Sequence, residues 1–215
     1  MEQETCPNCK KKLSGMLVTR SLYKQPSIDF INIFKIDPAE GYCSDCGPSL
    51  FNSSIAKLRT QKEDTVIELT KHIDIIPIVT AQSPLNWDYS VIEMVSAQSV
   101  TGTGMLSEIS SSWADFLGGQ SDALTNKLNN GEVICKNKLR LSAALLGANC
   151  IISTDIDYAE VGGGKGMLMV CMAGTAAVLH NIKDVLNVDI ERMALLNESA
   201  MELKRLNAIK IPQYN

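Results

Sequence analysis

VIEMVSAQSVTGTGML at residues 91–106 and DIDYAEVGGGKGMLMVCMAGTAAV at residues 155–178 are the two stretches that decide the fold of this chain. The first predicts a strand over 91–100. The second predicts the end of a strand over 150–161, a glycine-rich hairpin connection, and a further strand over 167–178. This last strand is apolar at nearly every position, which is typical of a strand covered on both faces. The predicted fold class is α+β, because a long helical segment separates the strands.

The helical segment between these stretches is predicted to hold one long helix over 121–146, preceded by a shorter helix over 106–117. Gly147 is typical of a helix C-terminus, and Gly131 inside the long helix allows either close packing or a bend. The apolar side of the long helix is formed by Leu124, Leu128, Cys135, Leu139 and Leu146.

Two C-x-x-C pairs near the N-terminus predict a metal site. They read Cys6-Pro7-Asn8-Cys9 and Cys43-Ser44-Asp45-Cys46. Each pair can present two thiolates from one tight turn, and four thiolates match the closed tetrahedral site of structural zinc. The alternative, a redox dithiol or unrelated free thiols, is less favoured because thioredoxin-like motifs occur singly within a βαβ pattern.

The segment around these pairs is similar to a zinc ribbon, with an extended hairpin between the two turns. Strands are predicted at Leu17-Val18 and over Ile28–Ile36, with Asp37-Pro38 as a turn. Gly47, directly after the second pair, suits a backbone that folds around sulfur. Zinc would supply folding energy that such a small region lacks.

Two further helices flank the central domain. One is predicted over 52–69, and the other over 189–209, where Met193, Leu196, Ala200 and Leu203 follow three-four spacing. That spacing suits either one partner helix or docking on the body of the protein. The chain is thus divided into a zinc-ribbon-like module (1–50), a helical linker (51–75), a central domain (76–181) and a C-terminal helix (182–215).

Composition excludes several classes of protein. The net charge of -4 gives no global basic field for nucleic acid. The N-terminus lacks the features of a secretory signal, and no apolar run reaches the length of a membrane span. We therefore expect a soluble, cytoplasmic protein with reduced cysteines.

The central domain resembles the YbjQ family, which also carries a proposed heavy-metal-binding label. The resemblance rests on the blocks VTGTGML, FLGGQS, LGAN, DIDYAEVG and MLMVCMAGTAAV, in that order, within residues 89–179. It implies a dodecin-like strand–helix–strand–strand subunit that assembles into a ring, typically a pentamer, with no secure enzymatic activity. Gln120 and Leu124 depart from the family pattern, in which a basic and an aromatic residue are expected.

Asp155 and Asp157 are the candidate ligands of the central domain. Alternation along a strand places both on one face, about 6.5 Å apart along the chain. Such a pair suits a hard cation or the lining of a pore, but hydrogen bonding to backbone amides or to another subunit is the favoured alternative. His72 and His180 sit in no recognisable motif, so the sequence predicts no Ser-His-Asp arrangement.

The leading hypothesis from the sequence is a non-enzymatic oligomeric binding or assembly protein that displays zinc ribbons on a ring. Protein partners would then be bound through several ribbons at once. The alternative is a metal-handling protein with a labile site in the ring domain. A hydrolase that uses Asp155 and Asp157 is the least favoured hypothesis.

Overall fold

The computed structural model describes residues 4–15, 18–101, 122–161 and 167–213 of the chain. The chain divides into two compact units. The knuckle unit comprises Met1–Ile67 and Glu202–Asn215, and the sheet unit comprises Glu68–Met201. The segment boundaries predicted at residues 50, 75 and 181 stay a prediction. They separate segments by their expected roles, whereas the two units are separated by how compactly their residues pack.

The knuckle unit begins with a short strand pair, and helices follow it. Strand β1 (Ser14–Gly15) pairs antiparallel with β2 (Val18–Thr19). Helix α1 (Gln25–Ile33) lies between the two cysteine pairs. Helix α2 (Gly47–His72) begins directly after the second pair and contains the helix predicted over 52–69.

The strand predicted over Ile28–Ile36 is wrong, because most of it belongs to helix α1. Pro26 occupies the first turn of α1, where its missing N–H would have no intrahelical partner in any case. Ile36, beyond the helix, is 96% exposed, as no strand of a buried hairpin would be. The residues that α1 buries show the spacing of one helix face: Ser27, Ile28, Phe30 and Ile31.

The apolar core of the knuckle unit is small and largely aromatic. The ring of Phe51 lies at its centre, with ring centroids 6.4 Å from Tyr23 and 5.2 Å from Phe30. The remaining buried members are Ile28, Ile31, Tyr42, Leu58 and Leu206. A core of this size stabilises a fold only modestly, so a metal site would add substantially to it.

The sheet unit is built on a three-stranded antiparallel sheet. Its strands are β3 (Tyr89–Thr101), β4 (Cys150–Val161) and β5 (Met167–Leu179), in the order β3-β5-β4. All three predicted strands are therefore confirmed, as is the mixed helix-and-sheet class. The register of β3 on β5 shifts between Val91 and Glu93, which marks a β-bulge.

Helix α3 (Asp122–Leu146) covers one face of the sheet. Its buried row repeats every four residues, and Gly131 lies so close to β5 that a Cβ atom there would stand 2.6 Å from Cγ2 of Val170. Close packing, rather than a bend, is thus the role of Gly131. The row consists of Gly131, Cys135, Leu139 and Ala143, whereas Leu146, predicted on this side, is 37% exposed.

On the second face of the sheet, which we call the open face, the described residues include apolar side chains that are exposed in the single chain. Along β5 the side chains alternate between the two faces, with Val170 and Met172 buried and Met169 and Cys171 half-buried. On β3, Met94 and Val100 share the open face and are 70% and 50% exposed. Apolar side chains left in water at this density are typical of an interaction surface.

The start of β4 is held by a second, irregular segment. Ile78 forms a parallel bridge with Ile151, and the N–H of Val79 donates to the Ile151 carbonyl at 2.9 Å. This segment forms a bridge beside β4 rather than a strand, after a 3-10 turn at Ile73–Ile75. Pro77 explains this, because proline has no N–H to donate to a ladder.

Two further helices follow β5, and the second of them passes from the sheet unit into the knuckle unit at Glu202. They are α4 (Ile182–Val185) and α5 (Ile190–Ala208). The carboxylate of Asp189 accepts the N–H groups of Glu191 and Arg192 at 3.0 and 3.1 Å, which caps α5. The predicted three-four stripe of α5 is buried in the single chain, which favours docking over a free coiled coil.

Some expectations lie outside the described residues. These are the shorter helix over 106–117, the glycines at 102–104 and 162–166, and the family departure at Gln120. Within the described parts of the chain, no helix combines the length and the apolar character needed to span a bilayer.

We predict that Gly131→Ala destabilises the protein, although alanine is the better helix former. The new methyl group would overlap the buried Val170 side chain, so we expect a net loss on the order of 1 kcal/mol in the free energy of unfolding. Chemical denaturation followed by circular dichroism measures this loss. The matched control is Asn130→Ala on the exposed side of the same helix, which should leave stability unchanged or raise it. Equal effects of the two substitutions would contradict the close approach.

Candidate metal centre

Four cysteine sulfur atoms converge in the knuckle unit. The Sγ atoms of Cys6, Cys9, Cys43 and Cys46 all lie within 4.8 Å of one another. The distance from Cys9 to Cys43 is 3.6 Å, and those from Cys46 to Cys6 and to Cys43 are both 3.8 Å. The two C-x-x-C pairs, which are separated by helix α1 in the chain, thus face each other as one group.

These separations fit a tetrahedral tetrathiolate site. With zinc–sulfur bonds of about 2.3 Å, the edge of a regular tetrahedron is about 3.8 Å. The observed separations of 3.6–3.8 Å agree with that edge. They are well above the disulfide bond length of about 2.05 Å. The donor set is therefore suited to zinc or another thiophilic cation.

The first pair is shaped by a residue with a left-handed backbone. The N–H of Lys10 donates to the Cys6 carbonyl at 2.9 Å, which closes the turn over the sulfur atoms. Lys10 reaches this position with φ of 62°, a region that non-glycine residues rarely occupy. The N–H of Cys6 donates to the Lys11 carbonyl at 2.8 Å, so both ends of the turn are fixed.

The second pair is fixed by the start of helix α2. The N–H of Gly47 donates to the Cys43 carbonyl at 2.7 Å, and the N–H of Ser44 donates to the Ser21 carbonyl at 3.0 Å. Gly47 has no positive φ, in contrast to the role expected from the sequence. It is small because the Tyr23 ring lies against its Cα, where a Cβ atom would overlap the ring.

A buried tyrosine supports the second pair from behind. Tyr42, directly before Cys43, is fully buried, and its hydroxyl donates to Oδ1 of Asn32 at 2.5 Å. The amide of Asn32 also binds the backbone of Ala39, donating to the carbonyl at 3.0 Å and accepting the N–H at 3.1 Å. Sequence reasoning missed this Asn32–Tyr42 link, because neither residue belongs to a metal-binding motif.

Basic side chains surround the cysteine group. Asp45, between the second pair of cysteines, accepts Nε of Arg20 at 2.7 Å and Nζ of Lys11 at 3.1 Å. The Arg20 contact, followed by that of Lys11, holds the pKa of the Asp45 carboxyl below its usual value. These contacts join the two C-x-x-C turns, which we call the first and the second knuckle. The positive charges of Arg20 and Lys11 offset the negative charge that four thiolates would carry around a divalent ion.

The thiols of the group differ in acidity. Burial by itself raises the pKa of Cys6, but hydrogen bonds from the N–H groups of Cys9 and Asn8 outweigh it and lower the pKa to about 7. Burial raises the pKa of Cys46 to about 12. The Cys46 thiol would therefore stay protonated at neutral pH, and its ionisation would require a cation nearby.

The remaining cysteines do not join this group. Cys135 and Cys150 are buried, and their thiols donate to the carbonyls of Val170 and Ala177 at 3.3 and 3.4 Å. Burial raises the pKa of Cys150 to about 11, as expected of an unreactive core thiol. Cys171 is half-buried on the open face of the sheet.

The two candidate aspartates lie elsewhere. Asp155 and Asp157 are exposed on the open face, where they pair in register with Ala173 and Cys171 of β5. Across residues 4–15, 18–101, 122–161 and 167–213, only the four N-terminal cysteines form a group of three or more potential ligands. Asp155 and Asp157 remain a two-ligand prediction within one chain.

The two histidines make local contacts away from the cysteines. Nε2 of His72 lies 3.4 Å from Oε1 of Glu68, one turn earlier in α2. Nε2 of His180 lies 2.8 Å from the hydroxyl of Ser90, at the end of the sheet. No sequence motif indicates this serine–histidine contact, because the strand pairing of β3 with β5 creates it.

Comparisons with known proteins concern the sheet unit. A family described as "Putative heavy-metal-binding" (YbjQ) matches residues 76–180. A UPF0145 protein of Listeria grayi is 33% identical over 106 residues, which are 48% of this chain and 100% of that protein. A crystal structure of a protein of unknown function, of the DUF74 family from Pediococcus pentosaceus, is 22% identical. It covers 48% of this chain and 97% of its own, with a TM-score of 0.34, which is too low to support further argument. The four converging cysteines lie N-terminal to the region that the family matches, residues 76–180.

Proposed function

This chain belongs to the YbjQ family, and we propose that it is a metal-binding protein that holds one zinc ion between Cys6, Cys9, Cys43 and Cys46. The observation that carries the proposal is the convergence of the four sulfur atoms within 4.8 Å of one another, with three separations of 3.6–3.8 Å that agree with the edge of a tetrahedral zinc site. The family's metal-binding label is attached to a different part of the chain. The two lines of support are therefore independent of each other.

The zinc site would be structural. All four ligands come from the protein, which leaves no open coordination position for a substrate. Cys6 and Cys43 are fully buried, and Cys9 and Cys46 are half-buried, so the ion would be enclosed. Binding an ion there would couple directly to folding of the knuckle unit, whose aromatic core is small.

We predict that the purified chain contains one zinc per molecule and that Cys43→Ser removes it. Cys43 is the ligand to mutate because its sulfur lies within 3.8 Å of two others. We expect zinc content, measured by elemental analysis, to fall from one ion per chain to none. Limited proteolysis should then cleave residues 1–50, while residues 76–181 stay resistant.

The matched control for this variant is Cys171→Ser, which removes a thiol from the open sheet face instead. It should leave zinc content and proteolysis of residues 1–50 unchanged. A wild-type knuckle unit that is folded and free of metal would refute the proposed zinc site.

A second candidate function is the binding of a labile metal ion by the sheet unit, at a site weaker than that of the four cysteines. Asp155 and Asp157 supply two carboxylates within one chain, which is fewer than the six or more oxygen ligands of a typical hard-cation site. Their exposure on the open face would allow further ligands to come from another copy of the chain. Exposed carboxylates of this kind suit binding better than hydrolysis, which typically takes place in an enclosed pocket.

We predict that the double variant Asp155→Asn with Asp157→Asn keeps the one tightly bound zinc and loses any weaker second equivalent. The amides preserve size and remove the negative charge that attracts a cation. Isothermal titration calorimetry of the zinc-loaded chain distinguishes the two classes of site. The same weak binding in both proteins would return the aspartates to a purely structural role.

Assembly through the open sheet face is the second function that we propose. One helix covers one face of the sheet, and Met94 and Val100 are exposed on the other. Contact with further copies would bury this face, and a closed ring would bury it equally in every copy. The YbjQ resemblance makes five copies the favoured number. Such a ring would carry several knuckle units, so that weak contacts of each with a protein partner would add up.

We predict that Met94→Asp splits the assembly into smaller species. Met94 is 70% exposed in the single chain, so a charge there should spare the subunit but would be costly to bury between subunits. Light scattering coupled to size-exclusion chromatography measures the mass. The fragment 76–181 should also assemble, because it contains all three strands of the sheet and helix α3.

The matched control for Met94 is Val133→Asp, which places a charge at a residue 55% exposed on helix α3, away from the open face. It should leave the mass unchanged. A wild-type chain or fragment 76–181 that is a stable monomer at micromolar concentration would overturn the proposed assembly.

A further inference from the structure

The four sulfur atoms form two pairs of unequal accessibility. Cys9 is half-buried and lies 3.6 Å from Cys43, which is fully buried. Cys46 is half-buried and lies 3.8 Å from Cys6, which is also fully buried. Each pair thus joins a partly exposed cysteine to a buried one, and each pair connects the first C-x-x-C turn to the second.

We propose that this site is a peroxide-sensitive switch, in which the disulfides Cys9–Cys43 and Cys6–Cys46 replace the bound metal. The inference rests on the metal site proposed above and adds its regulation. It differs from simple loss of metal, because the oxidised knuckle unit stays folded when the ion leaves.

The chemistry uses one hydrogen peroxide for each pair. The accessible thiolate, that of Cys9 or Cys46, attacks peroxide, forms a sulfur–oxygen bond and releases hydroxide; the sulfur is thereby oxidised to sulfenic acid. The buried thiolate of Cys43 or Cys6 then attacks that sulfur, and hydroxide leaves as the disulfide forms. Protonation of the two hydroxides gives two molecules of water. Two peroxides are reduced per site, and no thiolate then remains to hold the ion.

The distances favour pairing across the knuckles. Cys9 and Cys43 are the closest of the measured sulfur pairs, at 3.6 Å. Once they are joined, Cys6 and Cys46 remain as neighbours at 3.8 Å. The competing contact lies within the second C-x-x-C turn, between Cys43 and Cys46. Its sulfur–sulfur distance is 3.8 Å, which is longer than the 3.6 Å between Cys43 and Cys9. Oxidation at the shortest contact therefore determines both disulfides.

The fold would tolerate these bonds. Closing a gap of 3.6–3.8 Å to about 2.05 Å requires each sulfur to move by less than about 1 Å. The two disulfides would enclose helix α1 and the Asn32–Tyr42 link in nested loops. Cross-links over such loops restrict the unfolded chain and so stabilise the folded one, as the metal would.

The test begins with the full chain loaded with zinc, to which two equivalents of hydrogen peroxide are added. A chromophoric chelator should report release of the zinc, and the spent peroxide should reach two molecules per ion released. Non-reducing peptide mass spectrometry should find Cys9–Cys43 and Cys6–Cys46. Residues 4–50 should resist protease in this oxidised form, whereas the reduced chain stripped by a chelator should be cleaved there.

The Cys9→Ser and Cys135→Ser variants make the test specific. Loss of Cys9 should leave Cys43 without its partner, so that the Cys9–Cys43 peptide disappears while Cys6–Cys46 still forms. Loss of Cys135, a core thiol outside the site, should change nothing in the disulfide map.

The outcomes separate the two proposals. A chain that never binds zinc refutes the metal site. Its disulfide map after peroxide treatment still shows whether Cys9 pairs with Cys43 and Cys6 with Cys46. A chain that binds zinc but yields disulfides within each knuckle, sulfinic acids or a protease-sensitive oxidised form overturns the switch and leaves the metal site standing.

Discussion

The packing of helix α3 on one face of the sheet is the interaction on which the sheet unit depends. It requires the helix backbone at Gly131 to approach the methyl groups of Val170, and Cys135, Leu139 and Ala143 continue the same contact along the helix. The strand over which it lies, β5, is central and pairs with both neighbours. Because one helix covers one face, the other face must be covered from outside the described chain or remain in water. The proposed assembly is a consequence of this one-sided packing.

The knuckle unit also has a limited apolar core, and other interactions hold it together. Its core contains a few aromatic and aliphatic residues around Phe51. Hydrogen bonds from Lys10 and Gly47 turn the backbone around each cysteine pair, and Asp45 links the pairs through Arg20 and Lys11. An ion at the centre would tie these elements together with bonds stronger than any of their contacts. In the two proposals, the stability of the knuckle unit would be completed by a metal ion and that of the sheet unit by further subunits.

Much of the fold could be predicted from the sequence, because the strands and long helices carry strong periodicity. The four cysteines were also predictable, since two C-x-x-C pairs have a specific chemistry. Helix α1 was not, because Ile28, Phe30, Phe34 and Ile36 alternate as in a strand, and only Pro26 indicated a helix start. Gly47 was misread for a similar reason. Its place after a cysteine suggested backbone freedom, whereas contact with the Tyr23 ring, a tertiary feature, determines its size.

The bulge in β3 has a consequence for solubility. In the order β3-β5-β4, this strand of 13 residues lies at the edge of the described sheet. A long, regular edge strand can recruit other extended chains without limit, which leads to fibrils. The register shift between Val91 and Glu93 interrupts the row of backbone donors and acceptors, and it increases the local twist. Strand addition along the full length of this edge is thereby discouraged, because a regular partner strand could not keep its register through residues 91–93.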